Sequence, residues 1–162
     1  MNKKILLVTH SLSRTGAPIV MQNIANELNK INNYEIFIFN VNSLNIDIIN
    51  KFDRNIRVIN YPIWISKLKS SNFFAIKVLG YCCMKLFSIQ NSFEKILQDL
   101  NPDLVIINTI FHLNLSDSTE KHKIKTIRYI HELESYQYSL SENDKFKMLR
   151  SKDYFWACSK KV

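Results

Sequence analysis

The chain has 162 residues, of which 46% are hydrophobic, and a formal net charge of +8 at pH 7. This length suits one domain with a substantial core, and the apolar content excludes a disordered chain. Three cysteines, two of them adjacent, argue against a disulfide framework and favour a reduced, cytoplasmic setting. Only four strongly apolar residues follow Lys3 and Lys4, so we predict no secretory signal.

The first thirty residues predict a strand, a loop and a helix. Residues 5–8 form an apolar run typical of a strand buried on both faces of a parallel sheet. Pro18 suits a first helical turn, and Gly16 before it should let the backbone turn sharply and leave space for a ligand at the helix end. Gln22 belongs to the polar face of this helix. The apolar stripe expected to face the core comprises Val20, Ile24, Leu28 and Ile31, with Ala17 and Met21 beside them.

The rest of the chain alternates between predicted strands and helices. Further strands are expected at 35–41, 56–60, 104–108, 125–130 and 154–157. Helices are expected at 44–52, 116–122 and 142–149, and one long helix is expected over 72–100 with a bend at Gly80. This alternation predicts an α/β fold, a doubly wound parallel sheet with right-handed crossovers, in one domain over residues 1–162.

Polar residues collect where the predicted strands end, which is where ligands bind in such sheets. They are His10, Asn108 followed by His112, His131 with Glu132, and Ser159. A single histidine in a loop is most often a hydrogen-bonded surface residue. Three of the four histidines on one rim, together with Gly16, nevertheless indicate a ligand site. A zinc site of His10, His112 and His131 is conceivable, but no C-x-x-C or H-E-x-x-H motif supports it, so we expect no metal.

The loop H-S-L-S-R-T-G-A-P at 10–18 resembles the opening of glycosyltransferase family 4. These retaining sugar transferases have two Rossmann-like domains in the GT-B architecture, and their first loop commonly reads Gly-Gly-Ala. Gly16 and Ala17 match its second and third positions, whereas Thr15 departs from the first glycine and Pro18 replaces an acidic residue. The sequences P-D-L-V-I-I-N at 102–108, Y-I-H-E-L-E at 129–134 and A-C-S-K-K at 157–161 resemble later landmarks of the same domain.

The resemblance implies that the chain is the N-terminal, acceptor-side domain of such an enzyme. It implies a catalytic role for His131, which would contact the transferred sugar, and a donor that is a nucleotide-sugar, with no cofactor. It also implies a C-terminal donor-binding domain that residues 1–162 do not contain. The implied substrate-binding residues are Thr15, Gly16, Ala17, His10, Asn108, Glu132 and Ser159.

The resemblance implies one function, and the charge of the chain leaves a second, from a different class, open. The first is transfer of a sugar to a surface-glycan or lipid-linked acceptor, with the Gly16 backbone and helix end stabilising the departing diphosphate. The second is a non-catalytic binding module that docks on an anionic membrane or on a separately encoded donor domain. The charge alone would suit nucleic acid, but no motif of that class is present, so we expect no nucleic-acid partner.

A basic stretch lies between Asp53 and Glu94, where six basic residues occur without an acidic one. The apolar part at 73–89 is interrupted by two lysines and is too short to span a bilayer. A core helix with lysines reaching to water is one reading, and a helix at the inner face of the membrane is the other. The expected membrane-contact residues are Trp64, Lys67, Lys69, Phe73, Lys77 and Lys85.

Overall fold

Six parallel strands form a single sheet in the order β3-β2-β1-β4-β5-β6. The computed structural model describes residues 2–12, 16–42, 46–62, 88–108, 112–130 and 141–157. The strands are β1 (Lys3–Thr9), β2 (Tyr34–Asn40), β3 (Arg57–Asn60), β4 (Leu104–Asn108), β5 (Lys125–Ile130) and β6 (Tyr154–Ala157). The helices are α1 (Gly16–Asn29), α2 (Ile46–Ile49), α3 (Ile89–Leu100), α4 (Asn114–Lys121) and α5 (Glu142–Arg150).

The strand order confirms the predicted doubly wound α/β fold. From β1 the chain builds outward to β2 and β3, and then returns to place β4 on the other side of β1. The order therefore reverses between β1 and β4, where every residue of β4 pairs with one of β1, from Leu104 with Ile5 to Asn108 with Thr9. A reversal of this kind leaves a crevice above the carboxyl ends of the two strands.

The core lies in two layers because alternate residues of each strand point to opposite faces of the sheet. Leu6, Val8, Phe37 and Phe39 pack on one face with residues of α3, including the stacked ring of Phe93. The other face is covered by α1 and α2 and comprises mainly Ile5, Leu7, Ile36, Ile38, Met21, Ala25 and Ile48. Burial on both faces explains why β1, β2 and β4 read as continuous apolar runs.

The buried stripe of α1 differs from the predicted one. Its buried residues are Pro18, Met21, Gln22 and Ala25, whereas Val20 and Ile31 are exposed. The amide of Gln22 donates a hydrogen bond to the carbonyl oxygen of Lys51 at 3.3 Å. This bond offsets the cost of burying a polar side chain, so the helix is rotated relative to the purely apolar expectation.

The predicted long helix over 72–100 is not continuous. Ser88 has an extended backbone, and its hydroxyl accepts a hydrogen bond from the Asn91 amide, so α3 begins at Ile89. A serine in this role satisfies a backbone donor that the first helical turn leaves without a partner. Residues 63–87, which include Gly80, lie outside the described part of the chain. Within the described ranges, no helix has the length and apolar character needed to cross a bilayer.

Candidate functional site

Two polar residues that were predicted for the site, His10 and Asn108, lie on the rim above the crevice between β1 and β4. Thr9 and Asn108 end the two strands side by side, and His10 follows Thr9 directly. The Thr9 hydroxyl donates a hydrogen bond to the Ser11 carbonyl oxygen at 3.0 Å. The predicted convergence of His10 and Asn108 on one rim is therefore present in the structure.

Asn108 joins this rim to the start of α1. Its side-chain amide donates a hydrogen bond to the Ala17 carbonyl oxygen at 3.1 Å, and the side chain is only 2% exposed. A buried amide in this position fixes the first turn of α1 against the end of β4. Asn108 therefore holds the start of α1 beside the carboxyl end of β4.

Gly16 is the first residue of α1, and the space beside it is open. A methyl group added to its Cα would meet no heavy atom within 4 Å, and its φ is not positive. Gly16 therefore does not use a backbone conformation that requires glycine, and because residues 13–15 lie outside the described ranges, the predicted sharp turn stays a prediction. The predicted free space at the helix end is present, and Gly16 is exposed there.

His10 and His112 form a pair on the same rim. The Nδ1 atom of His10 and the Nε2 atom of His112 are 3.1 Å apart, a hydrogen-bond distance. The ring centroids lie 5.3 Å apart with an interplanar angle of 27°. His112 adopts a positive φ of 58°, a conformation in which histidine is enriched among residues other than glycine.

His112 is neutral at physiological pH. Burial, followed by the positive charges of His10 and Arg128, lowers the pKa of the His112 ring from 6.5 to about 4. His10, in contrast, is exposed to solvent. A single hydrogen bond thus links a half-buried neutral imidazole to an imidazole that a ligand can reach.

Below the rim, Arg128 is completely buried in a polar cluster. Its Nε atom donates to the Asp153 carboxylate at 3.1 Å, and its Nη2 atom donates to the Ser116 hydroxyl. Ser116 in turn donates to the same carboxylate at 2.5 Å. The cluster ties β5 to α4 and to the start of β6, and it places a positive charge near His112.

Several predicted residues lie outside the described part of the chain. These are Thr15, His131, Glu132, Ser159, Trp64, Lys67, Lys69, Phe73, Lys77 and Lys85. Their roles remain predictions. Sequence reasoning placed His112 on the rim and considered it only as a zinc ligand, because nothing in the spacing signals its contact with His10 across 102 residues. It also assigned Arg128 to a strand only, since the partner Asp153 is 25 residues away.

The described residues contain no group of three or more histidine, cysteine, aspartate or glutamate side chains positioned to hold a metal ion. Two of the three histidines considered for zinc, His10 and His112, meet through their ring nitrogens. The third, His131, is outside the described ranges. The positive charge near His112 disfavours a cation beside this pair.

Comparison with known proteins identifies relatives by structure alone. No family model matches the chain, and no curated protein sequence does. The lipopolysaccharide outer core galactosyltransferase WaaB in its apo form has 18% identity and a TM-score of 0.58. The match covers 98% of this chain and 40% of WaaB.

Two plant enzymes give similar matches. UGT2 of Phytolacca americana, complexed with UDP-2-fluoro-glucose and pterostilbene, has 11% identity and a TM-score of 0.54 over 87% of this chain and 36% of that chain. A UDP-glucosyltransferase from Polygonum tinctorium capable of glucosylating indoxyl has 9% identity and a TM-score of 0.54. This match covers 87% of this chain and 34% of that chain. At these identities the comparison establishes the fold.

The chain therefore has the Rossmann-like fold of one domain of GT-B glycosyltransferases. It spans between about a third and two fifths of the length of these structures.

Proposed function

We propose that the chain is the acceptor-side domain of a glycosyltransferase that moves a sugar from a nucleotide-sugar to a glycan or lipid-linked acceptor. The observation that carries this proposal is the polar rim at the place where the strand order reverses between β1 and β4, in a fold shared with GT-B enzymes. Hydroxyl-rich ligands need groups that donate and accept hydrogen bonds, and the imidazole rings of His10 and His112 on this rim are groups of that kind.

The finer assignments rest on the resemblance to glycosyltransferase family 4. They are retention of the anomeric configuration, a second domain that binds the donor nucleotide, and a role for His131 in orienting the transferred sugar. The open space at Gly16 and the N-terminal end of α1 support a diphosphate at this position. In this arrangement the helix end and backbone amides stabilise the charge that develops on the departing diphosphate.

A second candidate is a binding module without catalysis, which docks on anionic membrane or on a separately encoded donor domain. The observation that favours it is the excess of basic over acidic residues, +8 over the chain. A cytoplasmic protein at the inner face of the membrane suits both candidates, because lipid-linked acceptors and anionic headgroups meet there.

The decisive experiment joins the chain to a donor-binding domain and follows transfer from a panel of nucleotide-sugars. Retention predicts that the product has the anomeric configuration of the donor, which NMR of the product reads directly. His131→Ala should lower turnover by at least tenfold, because general acid–base or positioning groups contribute about 10²-fold or more. His122→Ala is the matched control, since His122 contacts Glu94 away from the rim.

Near-normal turnover in the His131→Ala protein would remove His131 from the mechanism. An inverted product would contradict retention but keep the transferase. Absence of transfer with every donor, together with binding to anionic vesicles, would favour the module without catalysis.

A further inference from the structure

A cavity lies at the opposite edge of the sheet from the rim. It has a volume of about 540 Å³ and opens at the amino ends of β1, β2 and β3, beside the loop between α1 and β2. The seven residues of β1 separate this edge from the carboxyl edge by about 20 Å, because a strand rises roughly 3.3 Å per residue. A ligand in this cavity would therefore not touch the rim.

Two arginines line this cavity without a counterion. Arg54 precedes β3 and Arg57 begins it, and both are exposed. Neither forms an ion pair with any residue that the structure describes. Glu35 is the one acidic residue in the described lining, and the nearby Asp53 carboxylate accepts a hydrogen bond from the Asn29 side chain at 3.2 Å. Positive charge is therefore in excess in the lining, which favours an anionic ligand.

Arg57 is held in a way that keeps its hydrogen-bond donors available. Its guanidinium carbon lies 5.5 Å from the centre of the Phe37 ring, which is its register partner on β2. At this distance the positive charge is attracted to the face of the ring. A guanidinium over a ring uses its flat face and keeps its N–H donors in the plane, where they match the oxygens of a phosphate group.

Amide side chains complete the polar lining of the cavity. They belong to Asn2, Asn29, Asn32 and Asn55, and the side chain of Tyr34 lies beside them in the lining. An amide donates and accepts hydrogen bonds, so it can pair with the hydroxyl groups of a sugar. The volume is also typical of small-molecule sites, which measure about 300–1,000 Å³. The lining thus combines donors for a phosphate group with partners for several hydroxyl groups.

We propose that this cavity binds a small phosphorylated polyol, such as a sugar phosphate, with its phosphate group on Arg54 and Arg57 and its hydroxyl groups on the asparagine amides. None of these residues belongs to the rim, so this site does not depend on the proposed function. Most of the affinity should come from the phosphate group, because hydrogen bonds between charged groups are roughly twice as strong as neutral ones.

The test is NMR of the 162-residue chain titrated with glucose 6-phosphate. The backbone amide signals of Asn32, Asn55 and Arg57 should shift and saturate, and glucose alone should leave them unchanged. Arg57→Gln should weaken the affinity about tenfold or more, because it removes hydrogen bonds to a charged group. Arg150→Gln is the matched control and should bind normally, because Arg150 lies over the Phe146 ring at 4.2 Å on α5, outside the cavity.

Several outcomes would overturn this site. They are unchanged cavity signals, equal responses to glucose and glucose 6-phosphate, and equal losses of affinity in the two variants. A response confined to Gly16 and the start of α1 would place the phosphate group at the helix end and would also overturn it. Vesicles of phosphatidic acid test the other source of a phosphate group. Flotation that depends on Arg57, without a response to glucose 6-phosphate, would assign the arginines to a lipid headgroup and exclude the soluble ligand.

Discussion

Gly16 offers a test in which stability and ligand binding are expected to change in different directions. The residue begins α1, lacks a positive φ and faces open space. Gly16→Ala should therefore keep the free energy of unfolding or raise it by up to about 1 kcal/mol, because alanine is the better helix former. If the donor diphosphate approaches this helix end, the added methyl group should weaken donor binding in the protein that carries both domains.

Urea unfolding and a donor titration measure the two effects of Gly16→Ala. Asn23→Ala is the matched control, because Asn23 is an exposed residue of the same helix. It should leave donor binding unchanged. A Gly16→Ala protein with unaltered donor affinity would show that the diphosphate does not approach Gly16.

Asp153 is expected to be important for stability because it compensates the fully buried charge of Arg128. Asp153→Ala removes the carboxylate and leaves the guanidinium without this partner. Loss of one partner of a buried pair typically costs about 3–5 kcal/mol in the free energy of unfolding. The exposed pair of Glu120 and Lys152 is the control, and Glu120→Ala should cost less than about 1 kcal/mol. Equal losses in urea unfolding would contradict the structural role of the Arg128 cluster.

At the residue level, the sequence predicted which positions reach the rim but not how they interact there. His10 and Asn108 follow strand ends, and strand ends can be recognised from short apolar runs. The partners of these residues come from distant parts of the chain. Ala17 lies 91 residues from Asn108, and His112 lies 102 residues from His10. Contacts over such separations depend on the strand order, which the sequence pattern does not encode locally.

At the level of elements, the strands were predicted accurately and the helices less so. The bounds predicted for β4, β5 and β6 are those observed, because apolar or β-branched runs between turn residues leave few alternatives. The orientation of α1 was only partly correct: Met21 and Leu28 of the predicted stripe pack on the core, but the polar residue Gln22 is also buried, with a partner on a neighbouring loop. The start of α3 was missed because nothing in the local sequence shows that Ser88 takes the extended backbone and hydrogen bond of a helix cap.

The basic stretch between Asp53 and Glu94 supports a prediction about membrane binding. Each lysine near an anionic bilayer contributes on the order of 1 kcal/mol, so four should give an appreciable and reversible attachment. The chain should float with vesicles that contain phosphatidylserine but not with neutral vesicles, and salt should weaken the binding. Replacement of four lysines by glutamine should lower the recovered fraction: Lys67, Lys69, Lys77 and Lys85.

The matched control for these replacements removes the same charge elsewhere. It replaces four lysines in or near α4, β5, α5 and β6 by glutamine, namely Lys123, Lys125, Lys145 and Lys152. This variant should bind nearly as well as the unsubstituted chain. Equal recovery on neutral and anionic vesicles, or equal loss in the two variants, would exclude the stretch as a specific membrane contact.

At the level of the whole molecule, the fold supplies one crevice, whereas a GT-B enzyme works between two domains. The described sheet has its rim where the strand order reverses between β1 and β4. The chain spans 40% of the length of WaaB and 36% of the length of Phytolacca americana UGT2. Electrostatic stabilisation of a departing diphosphate needs groups on more than one side of it. On the proposed function, the 162-residue chain alone should bind an acceptor glycan without transferring sugar to it.

This prediction is tested with the purified chain, a panel of nucleotide-sugars and an acceptor extract in which the joined two-domain protein is active. The chain alone should give no product above a blank without protein, and addition of the donor-binding domain as a separate polypeptide should restore part of the activity. Restoration in trans would show that the deficit of the isolated chain is the missing half of the crevice and not misfolding. Robust, donor-dependent transfer by the chain alone would instead mean that the rim around His10, Asn108 and the start of α1 is a complete catalytic site.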